Sequence, residues 1–212
     1  MTYAIKEIYA TLQGEGAQTG RPAVFLRFSG CNLWSGREAD RHKAICQFCD
    51  TDFWGTNGVH GGKYPADALA DRVREIWDKA GFGANQPMVV CTGGEPLLQL
   101  DRPLLVELHR AGLEIAIETN GTLPVPPGVD WVCMSPKANT RIVVRSGDEI
   151  KVIFPQDGID PQRFSGWDFT HFLLQPMDGP LLTANTLATI DYCNRYPQWQ
   201  PSIQTHKLLA IP

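Results

Sequence analysis

"RPAVFLRFSG" (Arg21–Gly30), "PADALADRVREIWDKAG" (Pro65–Gly81) and "PMVVCTGG" (Pro87–Gly94) together decide the fold. The first and third are short apolar runs closed by glycine, which predicts buried strands. In the second, Leu69, Val73, Ile76 and Ala80 recur at helical spacing, and Gly81 stands where the helix should stop. Strand, helix, strand in that order predicts a parallel βα unit.

The pattern continues down the chain. "DRPLLVELHRAG" predicts a helix from Asp101 stopped by Gly112. "LEIAIETNG", "VDWVCMSPK", "EIKVIFP" and "THFLLQP" predict strands, and "TANTLATIDYCNRYP" a further helix. Connections such as "GTLPVPPG" are too short and proline-rich to hold a crossover helix. A full eight-fold barrel needs about 250 residues, and this chain has 212. "YAIKEIYATLQGEG" adds an N-terminal strand running into a glycine-bracketed loop. The expected fold is α/β: a single domain spanning residues 1–212, a partial, open (β/α) barrel of about six core strands with reduced helices.

Composition narrows the function. The formal net charge is −4 with no basic run, which argues against a nucleic-acid partner. No apolar stretch suits a membrane span, and the first twenty residues carry no signal-peptide pattern, so the expected address is the cytoplasm. Cysteines stay reduced there, and a cluster of them reads as metal-binding or catalytic. Of the six cysteines, Cys91 and Cys133 lie in strand-like runs and Cys193 in a helical one, as small hydrophobes.

The other three gather in "CNLWSGREADRHKAICQFCD" (Cys31–Asp50), with a spacing of C-x14-C-x2-C. Cys31 falls just past the first core strand, at the end where βα barrels build active sites. Other strand ends carry "TGGEP", "ETNG", "SPK" and "LQP". Turn-making by Gly and Pro accounts for any one of these; the set points to one shared pocket. Three thiolates can hold a four-iron cluster with one iron open to a small chelating molecule. They can equally hold zinc with His42 or His60 as fourth ligand, or hold nothing. "SGREADRHKAI" between them is rich enough in helix formers for a short helix.

Three cysteines after the first strand, Phe48 in "CQFC" and "TGGEP" after the next strand resemble the radical S-adenosylmethionine enzymes. With "LQGEG", "RFSGCNLW", "CDT", "ETNG", "SPK" and "LQP", nearly the whole chain is similar to the 7-carboxy-7-deazaguanine synthase family. The superfamily's usual spacing is C-x3-C-x2-C, and Ser35 stands where its second cysteine would be. Here the first gap runs to Cys46, a longer loop that closes at little extra entropic cost.

The resemblance implies that Cys31, Cys46 and Cys49 hold a [4Fe-4S] cluster whose open iron is chelated by S-adenosylmethionine. The reduced cluster cleaves that cofactor to a deoxyadenosyl radical, which takes a hydrogen from substrate. It implies cofactor contacts from Phe48, Cys49, Asp50, Gly93, Gly94, Glu95 (suited to the methionine amine), Ser135, Pro136, Lys137, Gln175, Pro176, Met177 and Asp178. The implied reaction contracts 6-carboxy-5,6,7,8-tetrahydropterin to 7-carboxy-7-deazaguanine with loss of ammonia, toward queuosine. The substrate is expected on Leu12, Gln13, Gly14, Glu15, Arg27 and Thr92, with Arg27 on its carboxylate. Mg²⁺ is implied at Thr51, and a single protein hydroxyl suits a magnesium ion completed by substrate and water. "THKLLAIP" reads as a strand-like tail able to carry Pro212 into the pocket. The chemistry implies a flavodoxin or ferredoxin as electron donor, and exposed edge strands suggest a homodimer. Two competing readings are an activating enzyme that makes a radical on a partner protein, and a Cys3His zinc module.

Overall fold

A computed structural model describes residues 1–212. Nine strands form a single sheet: β1 (Tyr3–Leu12), β2 (Pro22–Phe28), β3 (Gly62–Tyr64), β4 (Met88–Gly93), β5 (Glu114–Thr119), β6 (Trp131–Met134), β7 (Ser146–Phe154), β8 (Asp168–Pro176) and β9 (Trp199–Pro201). Their spatial order is β3-β1-β2-β4-β5-β6-β7-β8-β9. From β2 to β9 every pairing is parallel, while β1 and β3 are antiparallel additions at one edge. The sheet does not close on itself, so the expected partial, open barrel with an added N-terminal strand is what forms. The sequence reading omits β3 and β9. Three residues each give no periodicity to read.

Four helices accompany the sheet: α1 (Ala66–Ala80), α2 (Arg102–Arg110), α3 (Leu182–Arg195) and α4 (Thr205–Leu209). Gly81 caps α1 in the left-handed conformation at φ 69°, which costs a residue without Cβ nothing. Asp101 caps α2: its Oδ1 accepts from the Leu104 amide at 3.1 Å and from the Tyr3 hydroxyl at 2.6 Å. No helix crosses between β5 and β6, between β6 and β7, or, beyond one 3-10 turn at Pro161–Phe164, between β7 and β8. The tail departs from expectation. "THKLLAIP" begins as α4, because Thr205–Leu209 turns once it is anchored to the loop after β1.

Alternation along the strands sorts side chains into two cores. Val24, Leu26, Val89, Cys91, Ile115 and Ile117 face α1 and α2 and pack with Leu69, Val73, Leu104 and Leu108. Ile150, Val152, Phe172 and Leu174 form the second core, which Tyr192 and Cys193 of α3 cover. On the opposite face Met88, Val90 and Ala116 pack with Phe25 and Trp131 inside the barrel. One pleat higher the interior turns polar. Arg27 lies in register with Thr92, and Glu118 with Cys133. The apolar layer is a floor, and the polar layer above it opens toward the C-terminal strand ends. Leu104→Ala, a fully buried position, is expected to cost about 2–5 kcal/mol. The check is urea unfolding, where the midpoint should fall with the slope unchanged.

Candidate active site

The fourteen residues between Cys31 and Cys46 are folded by one arginine. Arg41 lies in a 3-10 turn, Glu38–Lys43. Its guanidinium sits 4.1 Å from the Trp34 ring centroid, an attractive cation–π placement. Nε donates to Glu38 at 2.8 Å, and Nη1 donates to the carbonyls of Gln47 at 2.8 Å and Cys49 at 3.0 Å. Trp34 in turn meets Phe53 edge-on at 5.5 Å. The insert is therefore a packed unit that returns the chain to Cys46 and Cys49 opposite Cys31, and it contains the short helical turn expected there.

The "TGGEP" turn seats this loop. A Cβ at Gly93 would collide with Phe28 backbone, and one at Gly94 with the Gly30 carbonyl. Gly93 also has φ 133°, a conformation open to glycine. Glu95 is fully buried. Its carboxylate accepts from the Leu97 amide at 3.0 Å, the Thr119 hydroxyl at 2.8 Å and the Asn120 amide at 2.7 Å. Asn120 of "ETNG" then donates to Asn32 at 2.9 Å, beside Cys31. Glu95 thus ties two strand ends together from behind the wall of the site, with its oxygens occupied by the protein's own donors.

That wall encloses a cavity of about 410 Å³ at the C-terminal ends of the strands. Cys31, Cys46 and Cys49 all face it; His42 and His60 do not. Burial pushes the Cys31 thiol up. The Cys46 and Cys49 thiols influence each other, and the proximity pushes Cys46 up and Cys49 down. No three His, Cys, Asp or Glu groups are arranged around a single ion. Three soft sulfur donors spread over one wall suit a multi-iron cluster.

Beside the cysteines, the cavity is lined by Phe48, Asp50, Thr51, Gly93 and Gly94, and by Ser135, Lys137 and the run Gln175–Asp178. Pro136 is buried but lies off the wall, as does Glu95. Lys137 Nζ donates to Ser135 O at 2.8 Å and Oγ at 2.7 Å. Burial lowers its pKa, and the neighbouring Cys46 and Cys49 oppose that shift.

The other half is lined by Leu12, Gln13, Gly14, Glu15, Arg27, Thr92 and Pro212. Arg27 donates to Glu7 at 2.8 Å and to the Tyr9 hydroxyl at 2.9 Å. Burial opposes its charge, but Tyr9 and Glu7 more than restore it. The sequence reading missed the group at the centre: Lys151, 3% exposed, donates to Glu15 at 2.6 Å and to Glu118 at 3.4 Å. Gln13 donates to Glu118 at 3.0 Å, and Gln204 to Glu15 at 2.8 Å. Burial alone would raise the Glu15 carboxyl; the Lys151 ammonium, with hydrogen bonds from Lys151 and Gln204, holds it at about 2. Glu118, Lys151, Gln204 and His206 line the same cavity. Glu118 and Lys151 carry one sequence signal, a charge set directly against apolar strand neighbours: Ile117 before Glu118, and Ile150 and Val152 around Lys151.

An open parallel barrel with three cysteines on one strand-end cavity defines an enzyme of the radical S-adenosylmethionine class. No family model matches the chain. The 7-carboxy-7-deazaguanine synthase of Burkholderia multivorans is 58% identical over 213 residues, covering 100% of both chains. Its counterpart from Caulobacter vibrioides is 56% identical over the same coverage. Among solved structures, QueE from Escherichia coli superposes with a TM-score of 0.72 at 28% identity, covering 96% of this chain and 94% of that one. The chain belongs to the 7-carboxy-7-deazaguanine synthase family.

The Glu15 pair makes stability depend on acid. A carboxyl whose folded pKa is depressed contributes above its unfolded value, about 4.3, and that contribution is lost as pH falls through its folded value. Glu15→Gln is expected to lower the thermal midpoint at neutral pH. The gap from the parent should narrow between about pH 4.5 and pH 2, which a melting series across that range would show.

Proposed function

We propose that this enzyme converts 6-carboxy-5,6,7,8-tetrahydropterin to 7-carboxy-7-deazaguanine with loss of ammonia, a carbon–nitrogen lyase step toward queuosine and other 7-deazapurines. The observation that carries the reading is the division of one cavity into a cysteine-bearing half and a half with a fixed arginine, a carboxylate pair and a lysine. The printed names of the full-length relatives support it.

Cys31, Cys46 and Cys49 would hold a [4Fe-4S] cluster. When bound, the cluster and S-adenosylmethionine supply a one-electron cleavage that produces a radical able to take a hydrogen atom from the substrate. The chain's own part is to bind, orient and exclude water. Gly93 and Gly94 let the main chain approach the cofactor, with Glu95 fixing their turn. Phe48, Asp50, Ser135, Lys137 and Gln175–Asp178 line its seat, and Pro136 holds Ser135 and Lys137 in place. On the substrate side Arg27 receives the carboxylate, because Glu7 and Tyr9 hold its guanidinium in one orientation. Glu15 stays ionised and so accepts hydrogen bonds from the amino and ring N–H groups of a pterin. Gln13 offers both donor and acceptor, and Leu12, Gly14, Thr92 and Pro212 complete the wall. Thr51, two residues past Cys49 on the cavity wall, would hold a Mg²⁺, which would supply positive charge for the substrate carboxylate.

The same reading supplies the partners. A flavodoxin- or ferredoxin-type protein delivers the electron. A second copy covers exposed apolar residues of α3, Leu182, Leu187 and Ile190, giving a homodimer of single-domain chains. Its site of action is the cytoplasm, where free cysteines persist. No helix is long and apolar enough to cross a membrane.

The test is anaerobic incubation of reconstituted, reduced protein with S-adenosylmethionine, with and without the carboxypterin and Mg²⁺. The deazaguanine should form only with the pterin and rise with Mg²⁺. Deoxyadenosine alone would discard the pterin, and neither product from protein with an intact cluster would discard the chemistry. Arg27→Ala is expected to raise the KM for the pterin about tenfold or more, as loss of charge-assisted hydrogen bonds would. An unchanged KM would remove Arg27 from the carboxylate.

A further inference from the structure

At the mouth of the cavity one ammonium group joins segments far apart in sequence. Lys207 of α4 donates to Asp50 at 2.7 Å and to Asp178 at 2.6 Å. Asp50 follows Cys49, and Asp178 closes the run that leaves β8, so both belong to the cysteine-bearing half. Without a cation between them the two carboxylates would repel. α4 itself is fastened to the other half. The Thr205 amide and hydroxyl donate to Gly14 O at 2.9 and 3.0 Å, and Gln204 donates to Glu15. Further on, the Thr11 hydroxyl donates to Pro212 O at 2.9 Å. Gly14 packs so closely under His206 that a Cβ there would collide with the imidazole. The segment 204–212 therefore spans the cavity, with Lys207 as its tie to the cofactor side and Gly14, Glu15 and Thr11 as its ties to the substrate side.

We propose that Lys207 is a positioning residue that makes the two halves of the site fill together. Seating S-adenosylmethionine orders Asp50 and Gln175–Asp178. Those carboxylates hold Lys207, and Lys207 seats the segment whose Gln204, His206 and Pro212 line the substrate half. By linkage the effect is reciprocal: pterin binding tightens cofactor binding by the same factor. The inference rests on the functional reading above, but part of its test does not. An isolated surface ion pair contributes little. Lys207 differs in that it is 38% exposed and shared between two carboxylates from separate segments.

The experiment uses anaerobically reconstituted protein, with Lys207→Ala and Lys207→Arg beside the parent. Equilibrium dialysis gives the pterin Kd with and without S-adenosylmethionine, and amide exchange follows residues 204–212 on addition of S-adenosylmethionine alone. In the parent, S-adenosylmethionine should tighten pterin binding and slow exchange in that segment. Lys207→Ala should reduce the tightening about threefold to tenfold and abolish the slowing, with exchange in β2 and β4 unchanged. Lys207→Arg should retain most of both effects, and added salt should weaken them in the parent. A parent without coupling, or an alanine variant that keeps the full factor and the slowing, overturns the proposal. Parent protein that binds S-adenosylmethionine but no pterin overturns the substrate reading alone, and the exchange measurement still decides for or against Lys207. Failure to bind S-adenosylmethionine at all overturns both.

Discussion

The structure turns on an ammonium group inside a barrel. Lys151 is almost fully enclosed, and burying a lone charge there would cost several kcal/mol. Glu15 and Glu118 offset that cost: Glu118 comes from β5 in the middle of the sheet, and Glu15 reaches Lys151 of β7 from the loop after β1, across the gap. Burial disfavours the charged lysine. The Cys133 thiol beside it is itself pushed well above its ordinary value by burial, so it is neutral and adds nothing. The carboxylates are what keep Lys151 charged and its pKa high. An open sheet has no hydrogen bonds across its gap, so this ion triad, together with the tail on Gly14, takes their place. Polar groups that a binding site needs are thereby also the ones that hold the sheet's two ends together.

The cysteine loop solves a different problem. Between Cys31 and Cys46 the chain must leave the strand end and come back, and the sheet holds it only near its start, through Asn120 on Asn32. Arg41 is the hub of that return, with its flat guanidinium on Trp34 and its N–H groups on the carbonyls of Gln47 and Cys49, and the Ile45 amide closes the loop on Leu33 O at 3.0 Å. A lysine could carry the charge and donate to the carbonyls, but it has no flat, delocalised face to lay on the indole while doing so. The long gap is thus a small folded unit, and its apolar side rests on Phe53.

How much of this could be read from the sequence follows from where each signal lies. Helix α1 was legible because its apolar positions keep one period and Gly81 ends it. The three cysteines, Gly93, Gly94 and Arg27 were legible because unusual residue types sit at strand ends. Lys151 and Glu118 were passed over. In a strand, a charge between apolar residues ordinarily faces water, and only a barrel supplies an interior that is polar on the upper layer and apolar below. Strands β3 and β9 are too short to have a period. The tail read as a strand because its helix is one turn long and depends on Gly14, more than 190 positions away. Glu95 was legible as important; two of its three internal donors depend on the Thr119–Asn120 segment folding back toward it, which spacing cannot show.

The two halves of the cavity use opposite means for a physical reason. The cysteine-bearing half is built largely from main chain: glycines pressed against Phe28 and Gly30 backbone, and strand ends tied by a hidden Glu95. Main chain held this way has few rotamers to lose, so at the Gly93–Gly94 turn a cofactor meets a surface already in place. The substrate half is built from long charged side chains, which would be floppy on an exposed surface. Each is held by another charge or polar group: Arg27 by Glu7 and Tyr9, Glu15 by Lys151 and Gln204, Glu118 by Gln13 and Lys151. A carboxylate or an amino group entering there meets donors and acceptors whose direction has already been fixed, so little ordering remains to oppose binding. Rigidity at the glycine turn comes from close-packed main chain, and in the substrate half from the mutual pairing of side chains.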